Sequence, residues 1–165
     1  MSGHSTNPQT SSQFITFTLG EEEYGVDIMA VREIKGWTPT TPIPNSPRCI
    51  FGVINLRGII VPIMDLRTRF GMPQIPPTQM HVVIIINIGT RTIGLLVDAV
   101  SDIIAVTNDA IRAIPDMGEE NRESLLLGLV AHHERMVSLV SLDFLMGNFE
   151  ANSPALPEIE ILTAA

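Results

Sequence analysis

Two blocks of this chain recur in the same order, and that repetition constrains its fold more than any other feature. Shifted by 69 positions, Phe17-Thr18-Leu19-Gly20 falls on Ile86-Asn87-Ile88-Gly89 and Tyr24-Gly25-Val26 on Ile93-Gly94-Leu95. Without a gap, Ala30-Val31-Arg32-Glu33-Ile34 then falls on Ala99-Val100-Ser101-Asp102-Ile103. Shifted by 76, Gly52-Val53-Ile54 meets Gly128-Leu129-Val130, and Val61-Pro62-Ile63-Met64 meets Val137-Ser138-Leu139-Val140. Glycines and apolar positions repeat together, the pattern left by duplication of one unit. A unit of about 65 residues is too small to build a generous core alone. The two copies are therefore expected to pack on each other through an apolar seam.

Each copy reads mainly as β. Phe14–Leu19, Tyr24–Ile28, Gly52–Leu56, Ile59–Met64, Val82–Ile88, Thr92–Val97, Leu125–Ala131 and Met136–Leu142 are short runs of strand-forming residues bounded by turns. Arg57-Gly58 between two of them reads as a tight hairpin, with Gly58 supplying a positive φ. Short helical stretches are expected around Met29–Ile34, Leu66–Phe70, Asp98–Ile103 and Asp143–Phe149. About five short strands per copy tend to curl into a small barrel, which hides the sheet edges. The residues alone therefore predict two small β-barrels packed back to back. Tails are expected over 1–12 and 151–165, the first polar and the second apolar over Leu156 to Leu162, with a Pro-rich stretch, Pro73 to Thr78, near the junction of the copies.

Composition narrows the functions. Of 165 residues, 45% are hydrophobic and 17% charged, which predicts a folded chain rather than a disordered one. Ten Lys and Arg against 18 Asp and Glu leave a net charge of −8. That deficit of cations disfavours nucleic acid and anionic membrane surfaces as partners. The longest apolar run, Val82–Ile86, is far below the ~20 residues of a membrane helix. The polar N-terminus has no signal-peptide core, and a single cysteine, Cys49, fits a reducing compartment. A cytoplasmic protein without membrane insertion is expected.

Catalytic and metal motifs are not found. Adjacent His132 and His133 should point to opposite faces of a strand, His4 lies in the tail, and His81 stands alone. Cys49 reads as a buried or loop thiol. Glu21-Glu22-Glu23 reads as a solvated turn, and Asp65, Asp98, Asp102 and Asp143 as caps of short helical turns. No phosphate loop, nucleophile elbow or zinc-binding helix occurs. The expectation is a non-enzyme without cofactor or metal. What stands out is a surface feature, the lone guanidinium of Arg57 at a hairpin tip between apolar strands. Arginine covers apolar surface with its stem and still offers a fork to a carboxylate, a combination common at interfaces.

Three stretches together resemble the CheW-type chemotaxis coupling proteins. They are Phe14 to Ile34, the run Gly52-Val53-Ile54-Asn55-Leu56-Arg57-Gly58-Ile59-Ile60-Val61-Pro62-Ile63-Met64-Asp65-Leu66-Arg67, and Ile93 to Asp102. The likeness runs from about Gln13 to Gly147, and a CheW-like domain is expected over 13–150. It implies an all-β fold of two five-stranded barrels of the SH3 or OB kind, with strands exchanged between the lobes. It also implies a non-catalytic adaptor in a stand-alone form. Such a protein links the cytoplasmic tips of chemoreceptors to the regulatory domain of the chemotaxis histidine kinase, in arrays associated with the membrane. Carried over by position, Val31, Glu33, Asn55, Leu56, Arg57 and Gly58 are the implied receptor-binding residues, while no residue is assigned to the kinase. Gly52 matches a family glycine, read first as a strand position that lets another backbone come close. The alternative reading is a small-ligand-binding β-barrel, which predicts a lined cavity.

Overall fold

A computed structural model describes residues 11–114, 126–143, 145 and 146. Ten strands dominate. They are β1 (Ser11–Leu19), β2 (Glu22–Asp27), β3 (Val31–Gly36), β4 (Ile50–Leu56), β5 (Ile59–Asp65), β6 (Val82–Ile88), β7 (Arg91–Val97), β8 (Ala99–Thr107), β9 (Leu126–His132) and β10 (Arg135–Val140). One helical turn, α1 (Leu66–Arg69), follows β5. The strands form two five-stranded sheets, ordered β8-β1-β2-β10-β9 and β3-β6-β7-β5-β4.

These orders are the same order. Replacing β1 to β5 by β6 to β10, and the reverse, converts one sheet into the other. Each barrel takes two strands from the first half of one copy and three from the second half of the other, so the copies exchange strands. The registers agree residue by residue. Gly25 lies opposite Leu139 in the parallel pair β2–β10, and Gly94 lies opposite Ile63 in β7–β5. Those residues are equivalent under the two shifts read from the sequence.

The exchange explains the unbroken apolar runs. In β6, Val83 and Ile85 point into one barrel, while Ile84 and Ile86 point into the cluster between the barrels. Likewise, β1 sends Phe14 inward and Ile15, Phe17 and Leu19 to the seam. A strand buried on both faces cannot alternate with polar residues. Thr16 is fully buried on β1, and its hydroxyl donates to the Asp102 carbonyl at 3.3 Å. The seam is the largest core cluster, and it includes Tyr24, Met64, Leu66, Leu95 and Leu145.

Glycine makes room inside each barrel. A methyl group on Gly94 would lie 2.7 Å from Ile63 Cδ1 and 2.8 Å from Val83 Cγ1, while one on Gly25 would lie 3.0 Å from Leu139 Cδ2. The barrel cross-sections are set by these two equivalent positions.

Two stretches expected to be helical are strands instead. Val31–Gly36 pairs with β6, and Ala99–Thr107 pairs with β1 over Ser11–Thr18. Only a 3-10 turn, Ile28–Ala30, lies in the first stretch. Both strands are held by partners far away in sequence, a term that local helix propensity does not contain. The expected helix at Leu66–Phe70 is present as α1. Of Asp143–Phe149, Asp143, Leu145 and Met146 are helical, and the remainder lies outside the described residues. The tail expected over 1–12 gives up Ser11 and Ser12 to β1, and 1–10 and 151–165 lie outside the described residues.

Candidate functional site

The site begins with a hairpin. Arg57 and Gly58 both have positive φ, 52° and 90°, as a two-residue type I′ turn requires. Asn55 Oδ1 accepts the Gly58 N–H at 2.8 Å, locking the tip. At the equivalent turn between β9 and β10, His133 and Glu134 adopt φ of 53° and 65°. The hairpin geometry therefore belongs to the repeat. Arg57 is what makes this copy of it different.

From the tip, the Arg57 guanidinium donates to the Glu33 carboxylate. Those residues stand on the two ends of the sheet order, with Glu33 on β3 and Arg57 at the end of β4. The ion pair thus spans the seam where the barrel closes on itself. Below it, Trp37 stacks edge-on against Phe51, with ring centres 5.9 Å apart. Thr41 and Val53 then exchange backbone hydrogen bonds of 2.9 Å. Gly52 is what allows that closure. Its φ is +145°, and a methyl group there would meet the Thr41 carbonyl. The expected close approach of a second backbone at Gly52 is present.

Electrostatics differ here from the rest of the chain. The hydrogen bond from Arg57, with the charges of Arg57, Arg32 and Lys35, outweighs the small effect of burial and holds Glu33 below the usual carboxylate range. Three cations surround one acid in a chain whose net charge is −8. Beside them in sequence, Ile34 and Ile59 are 42% and 39% exposed. Of the six residues implied for receptor binding, Glu33, Arg57, Asn55 and Gly58 lie together at this edge. Val31 is half-buried against the seam cluster, and Leu56 is buried inside the barrel. Leu56 therefore supports the hairpin from within. Arg32, Ile34 and Lys35 are not singled out by the sequence because their stretch reads locally as helical, with Val31 and Ile34 three positions apart, and only pairing with β6 makes it a strand.

Other sequence-based expectations need correction. Asp65 does cap α1, accepting from Arg67 N–H and from the Thr68 hydroxyl. Asp98 caps nothing: it joins β7 to β8 and binds Arg67 and the Gly20 N–H. Asp102 likewise lies on β8, where no helix needs a cap. His81 does not stand alone, since its Nε2 lies 3.7 Å from Asp98 Oδ1. The Thr78 N–H donates to its Nδ1 at 3.0 Å, which leaves the neutral ring's proton on Nε2, facing Asp98. The rings of His132 and His133 are 4.1 Å apart rather than on opposite faces, because His133 is already in the left-handed turn. Glu22 and Glu23 belong to β2 rather than to a solvated turn. Glu22 accepts from the Tyr24 hydroxyl at 2.6 Å, and Glu23 lies 3.8 Å from Arg135. Among the described residues, no group of three or more His, Cys, Asp or Glu side chains could hold a metal.

With this geometry in place, comparison with known proteins decides the family. The CheW-like domain matches residues 13–150. The chain belongs to the CheW family. It is 47% identical over 131 residues to the chemotaxis protein CheW of Rhizobium meliloti, covering 79% of this chain and 84% of that one. It is 44% identical over 138 residues to CheW of Klebsiella aerogenes, covering 84% and 83%. The crystal structure of the scaffolding protein TtCheW from Thermoanaerobacter tengcongensis superposes with a TM-score of 0.75 at 32% identity, over 87% of this chain and 93% of that one. The two exchanged barrels are thus the CheW fold, and the chain is a CheW-type chemotaxis scaffold. No helix among the described residues is long and apolar enough to cross a membrane.

Proposed function

We propose that this CheW-family chain couples the cytoplasmic tips of chemoreceptors to the regulatory domain of the chemotaxis histidine kinase, and that its receptor contact is the edge carrying Glu33 and Arg57. The carrying observation is the Arg57–Glu33 ion pair across the barrel closure. Arg57 is 62% exposed and Glu33 28%, so both ends of the pair are open to a competing partner. A helical receptor tip that offers its own carboxylate can take over the guanidinium while its apolar face covers Ile34 and Ile59. Arg32 and Lys35 add positive field on the same strand, which steers an acidic partner and fixes its orientation. Scaffolding of this kind carries no chemistry. It changes kinase output only through a difference in affinity for the kinase's states.

Co-sedimentation of the purified chain with receptor-containing membranes, with and without the kinase, tests this reading. Binding to both, with kinase activity brought under receptor control, is the expected result. Binding to neither overturns it. Against the alternative of a small-ligand-binding barrel, the described residues fill both barrel interiors. Ile54, Leu56, Val61 and Ile85 fill one barrel, and Phe14, Ile104, Val130 and Leu139 fill the other.

A further inference from the structure

At the foot of the β4–β5 barrel, away from the Arg57 tip, a surface cleft of about 610 Å³ opens beside α1, with Arg48, Cys49, Thr68, Arg69, Gly71 and Met72 among the residues on its walls. Three observations about this cleft concern charge. Nη2 of Arg69 is buried and makes no hydrogen bond among the described residues. A guanidinium stays charged in proteins, and a buried donor left unpaired is costly, so nearly all of them find a partner. Second, the described residues lining the cleft include two arginines and no acid, in a chain with 18 acids against 10 cations. Third, the nearby carboxylate of Asp65 is turned to other donors and makes no hydrogen bond to Arg69 Nη2. Asp65 Oδ1 accepts from Arg67 N–H and Oδ2 accepts from the Thr68 hydroxyl at 2.7 Å, while its own N–H donates to the Cys49 carbonyl at 2.6 Å.

We propose that this cleft is a binding site for an oxyanion, a phosphate or carboxylate group, seated on the guanidinium of Arg69 and flanked at the rim by Arg48. The chemistry follows from the fork of guanidinium donors, whose spacing matches the two oxygens of a carboxylate or phosphate. Arg48 is exposed and supplies field and a second, mobile donor. Arg69 is the anchor, because it lines the cleft and its Nη2 is buried without a partner among the described residues. Burial raises the Cys49 thiol and lowers Arg69 from their ordinary values, and each of the two groups acts on the other through charge. A seated anion would offset the cost of that buried cation. This site is separate from the Glu33–Arg57 edge, so it stands or falls independently of the receptor reading.

The test uses the full-length, ¹⁵N-labelled chain, titrated with sodium phosphate and, separately, with sodium acetate, at an ionic strength held constant with sodium chloride. The expected result is saturable movement of the Cys49, Gly71 and Met72 amide signals with one or both probes, and none with chloride alone. Saturation by phosphate only assigns a phosphate ligand, and saturation by acetate only assigns a carboxylate. Arg69→Met should weaken binding at least roughly ten-fold and Arg48→Gln about three-fold, as expected for an anchoring and a rim donor. Shifts that never saturate, that chloride reproduces, or that survive unchanged in Arg69→Met overturn the proposal. Should Arg69→Met fail to fold, Cys49 decides, because it is the chain's one cysteine. A saturating probe then slows its alkylation by iodoacetamide in the unaltered chain, by steric cover and by disfavouring the thiolate. An unchanged alkylation rate overturns the site.

Discussion

Arg67 holds Asp98 by two hydrogen bonds, Nε to Oδ1 at 3.0 Å and Nη2 to Oδ2 at 2.6 Å, at the point where the barrels are joined. Asp98 ends β7 of one barrel, yet its N–H donates to Thr18 O and its Oδ2 accepts from Gly20 N–H, both at the β1–β2 turn of the other. One carboxylate therefore gathers α1 and the turns of both barrels. Duplication does not supply this pair. The residues equivalent to Asp98 and Arg67 are Met29 and Asp143, and Met29 is 87% exposed. The junction is where the two copies have diverged.

Asp98→Asn tests that junction. Burial by itself would push the Asp98 carboxyl up, but the hydrogen bonds from Arg67 and Gly20, with the charges of Arg67 and His81, hold it below its ordinary value. A carboxyl depressed on folding contributes stability that is complete above its unfolded value, about 3.9, and is lost as pH falls through the folded one. Asp98→Asn should therefore cost about 1–3 kcal/mol at pH 7, because it leaves the half-buried Arg67 without its counter-charge. The gap between variant and parent should narrow as the pH falls below the unfolded value. Urea unfolding at pH 7, 5 and 3 measures both; a constant gap would place the effect elsewhere.

Arg57→Glu should leave the fold intact and abolish most receptor binding. Arg57 and Glu33 are solvent-exposed, and exposed pairs add little to stability. Replacing the cation puts two acids across the barrel closure and reverses the field met by an acidic partner. The expected outcome is an unchanged melting temperature with receptor affinity reduced by roughly ten-fold or more. The double variant Arg57→Glu with Glu33→Arg restores the internal pair but not the fixed geometry offered to a partner, so binding should stay weak. Full receptor affinity in a folded Arg57→Glu chain would remove this edge from the contact.

The repeat was legible because it is carried by residue identity: Gly25 and Gly94, Gly52 and Gly128, and the β5 and β10 cores all recur. Eight of the ten strands could also be read from local pattern. The two that could not, β3 and β8, pair only with a strand of the other copy. Each pairs with one neighbour, at the edge of its sheet, and that neighbour is distant in sequence: Val31 lies opposite Ile86, and Phe14 opposite Ile104. Their local residues are compatible with helix, and only long-range pairing decides for strand. The same distance hid the partner of Asp98, which lies 31 residues away and made a helix cap the simplest reading. The Arg57 tip was visible as a hairpin, but its carboxylate partner was not, since nothing local places β3 beside β4.

Gly94→Ala should destabilise by overpacking. The new methyl group would press on Ile63 Cδ1 and Val83 Cγ1 inside a barrel with no room to yield, a change that costs about 1–3 kcal/mol. The same substitution at Gly36 meets nothing within 4 Å, and its backbone is ordinary strand. Gly36→Ala should therefore leave stability unchanged or slightly raised. Urea midpoints of the two variants measured side by side separate lost space from loss of glycine itself. Equal effects would mean the barrel interior is softer than its contacts imply.

Cutting the chain in its Pro-rich loop, between Ile75 and Pro76, tests the exchange directly. The first fragment carries β1 to β5 and the second β6 to β10, one copy of the repeat each. Were the copies independent barrels, each fragment would fold alone. In the observed topology neither fragment holds a complete barrel: the first owns two strands of one and three of the other. Each would expose the seam residues Phe17 and Leu19, or Ile84 and Ile86, and a sheet with its central pairing missing. Neither fragment alone should then unfold cooperatively on heating, whereas an equimolar mixture should regain β circular dichroism and a single transition. That transition should rise with protein concentration, since reassembly is bimolecular. A fragment that folds by itself as a monomer would show that strand exchange is not required for the fold, and the seam would have to be reinterpreted as a contact between two complete domains.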